Sequence, residues 1–142
     1  MPGKLRIGAL ASGGGTNLQA IIDRCGDGSL AAEVVLVITN KPEAGALQRA
    51  EQAGIPHLCI DHRQFADRET FDREIVATLR KHRVDLVVLA GFMRILTPVF
   101  IEAFPGRIMN IHPALLPAFP GLHVQRQALE YGARFAGCTA VS

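Results

Sequence analysis

Short apolar runs recur along this chain, each followed by a stretch with helical spacing, and that alternation narrows the fold more than any other feature. Leu5 to Leu10 reads as a buried strand and Asn17 to Arg24 as the helix after it. Val34 to Ile38 is a second strand, dense in β-branched residues. Glu43 to Gln52 reads as a helix stopped by Gly54, and Ile55 to Ile60 as a third strand. From Glu69 to His82, the positions of Phe71, Ile75, Val76 and Leu79 are those of an amphipathic helix. Asp85 to Ala90 (DLVVLA) is a fourth strand, Pro98 to Phe104 a short helix and Arg107 to His112 a fifth strand. Pro113, Pro117 and Pro120 then impose an irregular loop. Gln125 to Tyr131 reads as a last helix, followed by what could begin a sixth strand. Continuously apolar strands are buried on both faces, and β–α alternation implies parallel pairing. The expected fold is α/β, an open, doubly wound, mainly parallel sheet. Ligands in such sheets sit at the carboxyl ends of the strands, near the switch in strand order.

Composition excludes several classes of function. At 142 residues the chain fits a single domain. Hydrophobic residues make up 49% and charged residues 20%, which argues against disorder. Fifteen basic residues against thirteen acidic ones leave +2, too weak a charge for a nucleic-acid surface. No apolar run approaches the roughly 20 residues of a membrane helix, and no signal-peptide core precedes the first strand. Cys25, Cys59 and Cys138 are odd in number and form no C-x-x-C pair, so a reducing cytoplasm is expected. His57, His62, His82 and His123 lack metal-ligand spacing, and no metal is expected.

Three segments that follow strands carry chemistry. Ser12-Gly13-Gly14-Gly15-Thr16-Asn17 lies between the first strand and its helix. Its glycines permit close approach, and the amides of Gly15, Thr16 and Asn17 at a helix start favour an anion. It is neither G-x-G-x-x-G nor a Walker A loop, so phosphate is the natural ligand. It also reads as a tight turn capped by Thr16 or Asn17. Asn110-Ile111-His112-Pro113 ends the fifth strand. Residues two apart share a face, so Asn110 and His112 project together while Ile111 points into the core. Together they could stabilise an oxyanion and move a proton, or simply close off a strand end. Gly91-Phe92-Met93-Arg94-Ile95-Leu96 follows the fourth strand; it either lines a flat aromatic ligand or is ordinary core. Arg68, before the long helix, is a solvated charge unless an acidic ligand tail meets it.

In combination these segments closely resemble the phosphoribosylglycinamide formyltransferase family, folate-dependent enzymes of purine synthesis. The matching text is Ser12-Gly13-Gly14-Gly15-Thr16-Asn17-Leu18-Gln19-Ala20-Ile21-Ile22, then Leu89-Ala90-Gly91-Phe92-Met93-Arg94-Ile95-Leu96, then Asn110-Ile111-His112-Pro113-Ala114-Leu115-Leu116-Pro117-Ala118-Phe119-Pro120-Gly121. The resemblance implies a Rossmann-like formyltransferase fold and two small-molecule substrates, glycinamide ribonucleotide and the co-substrate 10-formyltetrahydrofolate. Gly15, Thr16 and Asn17 match the loop that holds the ribonucleotide phosphate. Met93, Arg94, Ile95 and Leu96, with Asn110, match the folate site, and Arg68 matches an arginine near the folate tail. Asn110 and His112 match the catalytic pair. Methionyl-tRNA formyltransferase carries a further RNA-binding domain that neither the length nor the charge of this chain accommodates. Formyltetrahydrofolate hydrolase lacks the glycine-rich character of the first loop.

The likeness runs to about Thr139, after which Ala140-Val141-Ser142 departs from the family's Val-His-Phe. The family's catalytic aspartate and last strands and helix would follow, so the domain is expected to be incomplete at its C-terminus. Uncovered hydrophobic surface would then favour lower stability or a homo-oligomer. Alongside the transferase, two other readings keep the same loops: an inactive form that only binds phosphate or folate ligands, and a formyltetrahydrofolate hydrolase.

Overall fold

The computed structural model describes residues 4–111. His112, the proline-rich loop after it, the expected helix at Gln125–Tyr131 and the sixth strand lie outside the described residues. Within them, β1 (Leu5–Ala11), β2 (Ala32–Thr39), β3 (His57–Cys59), β4 (Leu86–Leu89) and β5 (Ile108–Asn110) form one sheet. Its order is β3-β2-β1-β4-β5, and every pairing is parallel. Helices α1 (Thr16–Gly26), α2 (Gly45–Gln52), α3 (Arg68–Lys81) and α4 (Pro98–Ala103) make the crossovers.

Alternation along β1 decides which helices cover which face. Ile7, Ala9 and Ala11 pack with Leu18 and Ile21 of α1 and with Ala46 and Ala50 of α2. Leu10 packs with Phe71, Ile75 and Leu79 of α3 and with Phe100 of α4. The sheet is therefore doubly wound, as the apolar strands imply. Burying each large side chain contributes about 1.5–3 kcal/mol, so neither layer is dispensable. A Cβ at Gly8 would stand 2.6 Å from Leu79 Cδ2 and 2.9 Å from Val84 Cγ2. That glycine allows α3 to approach β1 so closely. After β3 the chain crosses to the far side of β1, placing the switch in strand order between β1 and β4.

Several boundaries differ from those read in the sequence. β3 spans three residues rather than Ile55–Ile60, because Pro56 has no N–H to donate and the strand is at the sheet edge. β2 is longer than Val34–Ile38, since β1 offers partners from Ala32 to Thr39. α2 starts at Gly45, after a turn closed by the Ala44 amide donating to the Lys41 carbonyl at 3.2 Å. α3 begins one residue earlier than expected because Asp67 caps it, accepting from Thr70 N at 2.8 Å. Such a cap stabilises a helix by about 1 kcal/mol. Arg68 is thus the first residue of α3 rather than part of the loop before it. β5 ends at Asn110, two residues short of the expected His112, although Ile111 N still donates to Leu89 O at 3.0 Å.

Candidate functional site

The loop after β1 is held by what surrounds it. Gly15 precedes α1 with φ of 84°, and a Cβ there would lie 2.8 Å from Ala46 Cα. Glycine is therefore required twice, by the left-handed torsion and by the approach of α2. The loop carbonyls turn toward α2: Ala46 N donates to Gly13 O at 3.1 Å, and Arg49 Nε donates to Gly14 O at 2.6 Å. The first bond back into α1 runs from Gln19 N to Gly15 O at 2.8 Å. Earlier amides have no helical carbonyl to reach, and they form the positive end of the helix dipole. Gly13 and Gly14 are exposed, with open space where a side chain would stand. The alternative reading, a turn capped by Thr16 or Asn17, differs from what forms: the residue at the cap position is Gly15, which has no side chain to offer. Asn17 Nδ2 instead donates to the Ile111 carbonyl at 3.3 Å, joining this loop to the end of β5.

A second tie joins the loop to the segment after β4. Ser12 Oγ donates to Asn40 Oδ1 at 2.6 Å and accepts from Met93 N at 2.9 Å. Ser12 N also donates to Gly91 O at 3.2 Å. Beyond Met93 the segment is pinned to α3. The Arg94 guanidinium carbon lies 5.4 Å from the centre of the Phe71 ring. Buried Asp72 accepts from Thr97 N at 2.8 Å and from Thr97 Oγ1 at 2.6 Å. Burial pushes the Asp72 carboxyl above its ordinary range, although Thr97 and the Arg94 charge pull the other way. With its backbone so fixed, the segment divides. Leu96 is core, while the side chains of Met93 and Ile95 stand 77% and 61% exposed beside the switch in strand order.

Asn110, half-buried, ends β5 opposite Leu89. Its neighbours Met109 and Ile111 pack in the α1–α2 layer, and Ile108 packs in the α3–α4 layer. By strand parity Asn110 belongs to the side of α3 and α4, opposite Ile111 as expected. Its pairing with His112 lies outside the described residues. One sheet edge therefore gathers Gly15, Thr16 and Asn17, Met93 to Leu96, and Asn110. Arg68 is exposed at the start of α3 on that edge, one turn before Asp72. Asp61, after β3, and Asp85, before β4, both have structural partners. The Arg63 side chain, hydrogen-bonded to Asp61, holds that carboxyl down at about 2, and Asp85 accepts from Arg6 N at 3.0 Å. Among the described residues, no group of three His, Cys, Asp or Glu side chains is placed to hold a metal ion. No helix there is long and apolar enough to cross a membrane. A cleft of about 620 Å³ opens at the opposite edge, lined by Lys4, Arg6, Cys25 and His82 among others. Burial pushes the Cys25 thiol up to about 11, which keeps it an unreactive thiol.

The sequence reading missed Arg49, Asn40, Asp72 and Thr97, and it gave Ser12 no task of its own. Only Ser12 carried a signal, as the first residue of a glycine-rich turn.

This fold, with these loops at its carboxyl edge, defines a class: the chain belongs to the formyl transferase family, whose sequence profile matches residues 5–142. Within that class the chain is similar to the phosphoribosylglycinamide formyltransferase of Escherichia coli (strain K12). The two are 49% identical over 128 residues, 90% of this chain and 60% of that protein. It is also 55% identical over 136 residues to the trifunctional purine biosynthetic protein adenosine-3 of Drosophila melanogaster, which is 94% of this chain and 10% of that protein. Among solved structures, glycinamide ribonucleotide transformylase 1 from Symbiobacterium toebii superposes with a TM-score of 0.77 at 48% identity, covering 93% of this chain and 62% of that one. The chain thus spans 60% of the Escherichia coli enzyme and 10% of the Drosophila protein.

Proposed function

We propose that this edge transfers a formyl group from 10-formyltetrahydrofolate to the amine of glycinamide ribonucleotide, a step of purine (IMP) biosynthesis in the cytoplasm. One formyltransferase domain would carry it. The observation that supports this most is the convergence of three separated segments, in a chain of this family, on one sheet edge through direct hydrogen bonds. In this reading the amides of Gly15, Thr16 and Asn17 hold the ribonucleotide phosphate. Met93, Arg94, Ile95 and Leu96 line the pteridine, with Asn110 beside it, and Arg68 meets the acidic tail of the folate. The amine attacks the formyl carbon, and the carbonyl oxygen becomes a tetrahedral oxyanion. Asn110 and His112 stabilise that charge, where each well-aimed donor is worth about 10²–10³ in rate. The amine gives up a proton, collapse breaks the bond to the folate nitrogen, that nitrogen takes up a proton, and tetrahydrofolate leaves.

The test is a formyl-transfer assay on the 142-residue chain, with both substrates and with release of deformylated folate followed over time. Turnover that requires the ribonucleotide supports the transferase. Deformylation without the ribonucleotide would make the chain a hydrolase. Binding of both ligands without turnover would leave it a binding form only.

A further inference from the structure

We infer that Ser12 is a positioning residue that couples the two substrate loops, so that occupancy of the glycine-rich loop sets the geometry of the folate segment. The inference rests on the substrate reading above and assigns Ser12 and Asn40 a task that reading leaves open.

Ser12 and Asn40 are only 3% and 2% exposed, so their polar groups must find partners inside the protein. A serine hydroxyl has one proton to give. It goes to Asn40 Oδ1 at 2.6 Å, which leaves the oxygen lone pairs facing Met93 N at 2.9 Å. On its other side, Asn40 Nδ2 stands 3.5 Å from His62 Nδ1. The hydroxyl therefore has one orientation, and that orientation makes it an acceptor for the segment after β4.

Sheet geometry does not require this bond. Parallel pairing already runs to the strand ends, where Ala90 N donates to Leu10 O at 2.8 Å. The Met93 side chain is 77% exposed, so the hydroxyl holds a backbone amide rather than a packed side chain. An alanine at position 12 would fill the core and leave that amide unheld. Ser12 begins the loop whose end carries the proposed phosphate donors, and Met93 begins the proposed pteridine segment. A backbone bond from Ser12 N to Gly91 O at 3.2 Å joins the two at their roots, and the Ser12 hydroxyl carries the link two residues further, to Met93.

The test measures equilibrium binding of glycinamide ribonucleotide and of tetrahydrofolate, which carries no formyl group to transfer, each alone and in the presence of the other, in wild type, Ser12→Ala and Asn40→Ala. Amide exchange at Met93 is followed in the same proteins. In wild type each ligand should tighten the other. Ser12→Ala should lower that coupling factor by roughly two- to tenfold, the equivalent of one hydrogen bond, and speed exchange at Met93. Asn40→Ala, which frees the hydroxyl to turn and also removes the contact with His62 but leaves Ser12 Oγ able to accept from Met93 N, should lower it by less; this variant decides the matter if Ser12→Ala does not fold. A folded Ser12→Ala protein with wild-type coupling would overturn the inference. So would equal weakening of both ligands with the coupling intact, which a merely structural role would give. Wild type that binds both ligands without coupling overturns this inference alone, whereas wild type that binds neither overturns the substrate reading with it.

Discussion

Replacing Asp72 removes the carboxylate that hydrogen-bonds Thr97, at the start of α4, to α3, and the structure separates its charge from its hydrogen bonds. Asp72 is 2% exposed and Thr97 6% exposed, so water cannot replace a lost acceptor. Asp72→Ala leaves the Thr97 amide and hydroxyl, now held at 2.8 and 2.6 Å, without a partner. Each stranded buried donor costs about 1–3 kcal/mol, and removing a carboxylate that is itself poorly solvated returns part of this. The net loss should be about 2–4 kcal/mol. Asp72→Asn keeps an acceptor oxygen in the same place and removes the charge, so near neutral pH it should cost less than about 1 kcal/mol. The pH dependence follows from burial, which raises this carboxyl above its ordinary 3.8. The folded chain then holds the proton more tightly than the unfolded chain. Stability from this group is greatest below 3.8 and declines as pH rises through the raised value. Asparagine does not titrate, so the Asn variant should gain on wild type between about pH 3.5 and about pH 7. Urea unfolding of the three proteins at both pH values measures each quantity. If Asp72→Asn were as damaging as Asp72→Ala, or fell further behind wild type as pH rose, the carboxylate charge would be stabilising and the reasoning wrong.

Other expected outcomes follow from the same edge. Gly15→Ala combines a φ of 84° with a Cβ 2.8 Å from Ala46 Cα; it should lower stability by about 1–3 kcal/mol and abolish phosphate binding, checked by denaturation and by phosphate titration. Asn110→Ala should reduce formyl transfer by about 10²–10³, with little change in the affinity for glycinamide ribonucleotide, as steady-state kinetics would report. Arg68→Ala should raise KM for the formyl folate by several-fold while leaving kcat in place. That effect should shrink in high salt, because Arg68 is exposed at the start of α3.

Much of the fold was legible because parallel strands buried on both faces leave continuous apolar text. DLVVLA from Asp85 to Ala90 contains the whole of β4, and the spacing of Phe71, Ile75 and Leu79 gives the buried side of α3. Boundaries were less legible wherever a side chain or a partner strand decided them. Asp67 starts α3 by capping Thr70, and Pro56 shortens β3 at the sheet edge. The candidate site was legible as three motifs but not as a connected object. Met93 reaches Ser12 across 81 positions, Ser12 reaches Asn40 across 28, and Thr97 reaches Asp72 across 25. Periodicity reports what lies one turn or one strand away and carries no trace of such pairs.

The strand order explains why those distant pairs exist. β1 is central, with β2 on one side and β4 on the other. A loop leaving β1 is therefore beside the loops that leave both neighbours. Ser12 sits at that junction, with Asn40 after β2 and Met93 after β4 within reach of one oxygen. A transfer between two bound molecules needs their reacting atoms about 3–3.5 Å apart, and a misplacement of about 1 Å can cost 10²-fold in rate. Loops that moved independently would add their positional errors at the reacting atoms. Loops joined by Ser12 Oγ to Met93 N and by Asn17 Nδ2 to Ile111 O move together, and their errors partly cancel. Past the strand tips one backbone bond, Ser12 N to Gly91 O, still joins these loops, and further correlation comes from side chains that cross between them. A small buried hydroxyl next to the central strand is the shortest group that can provide it.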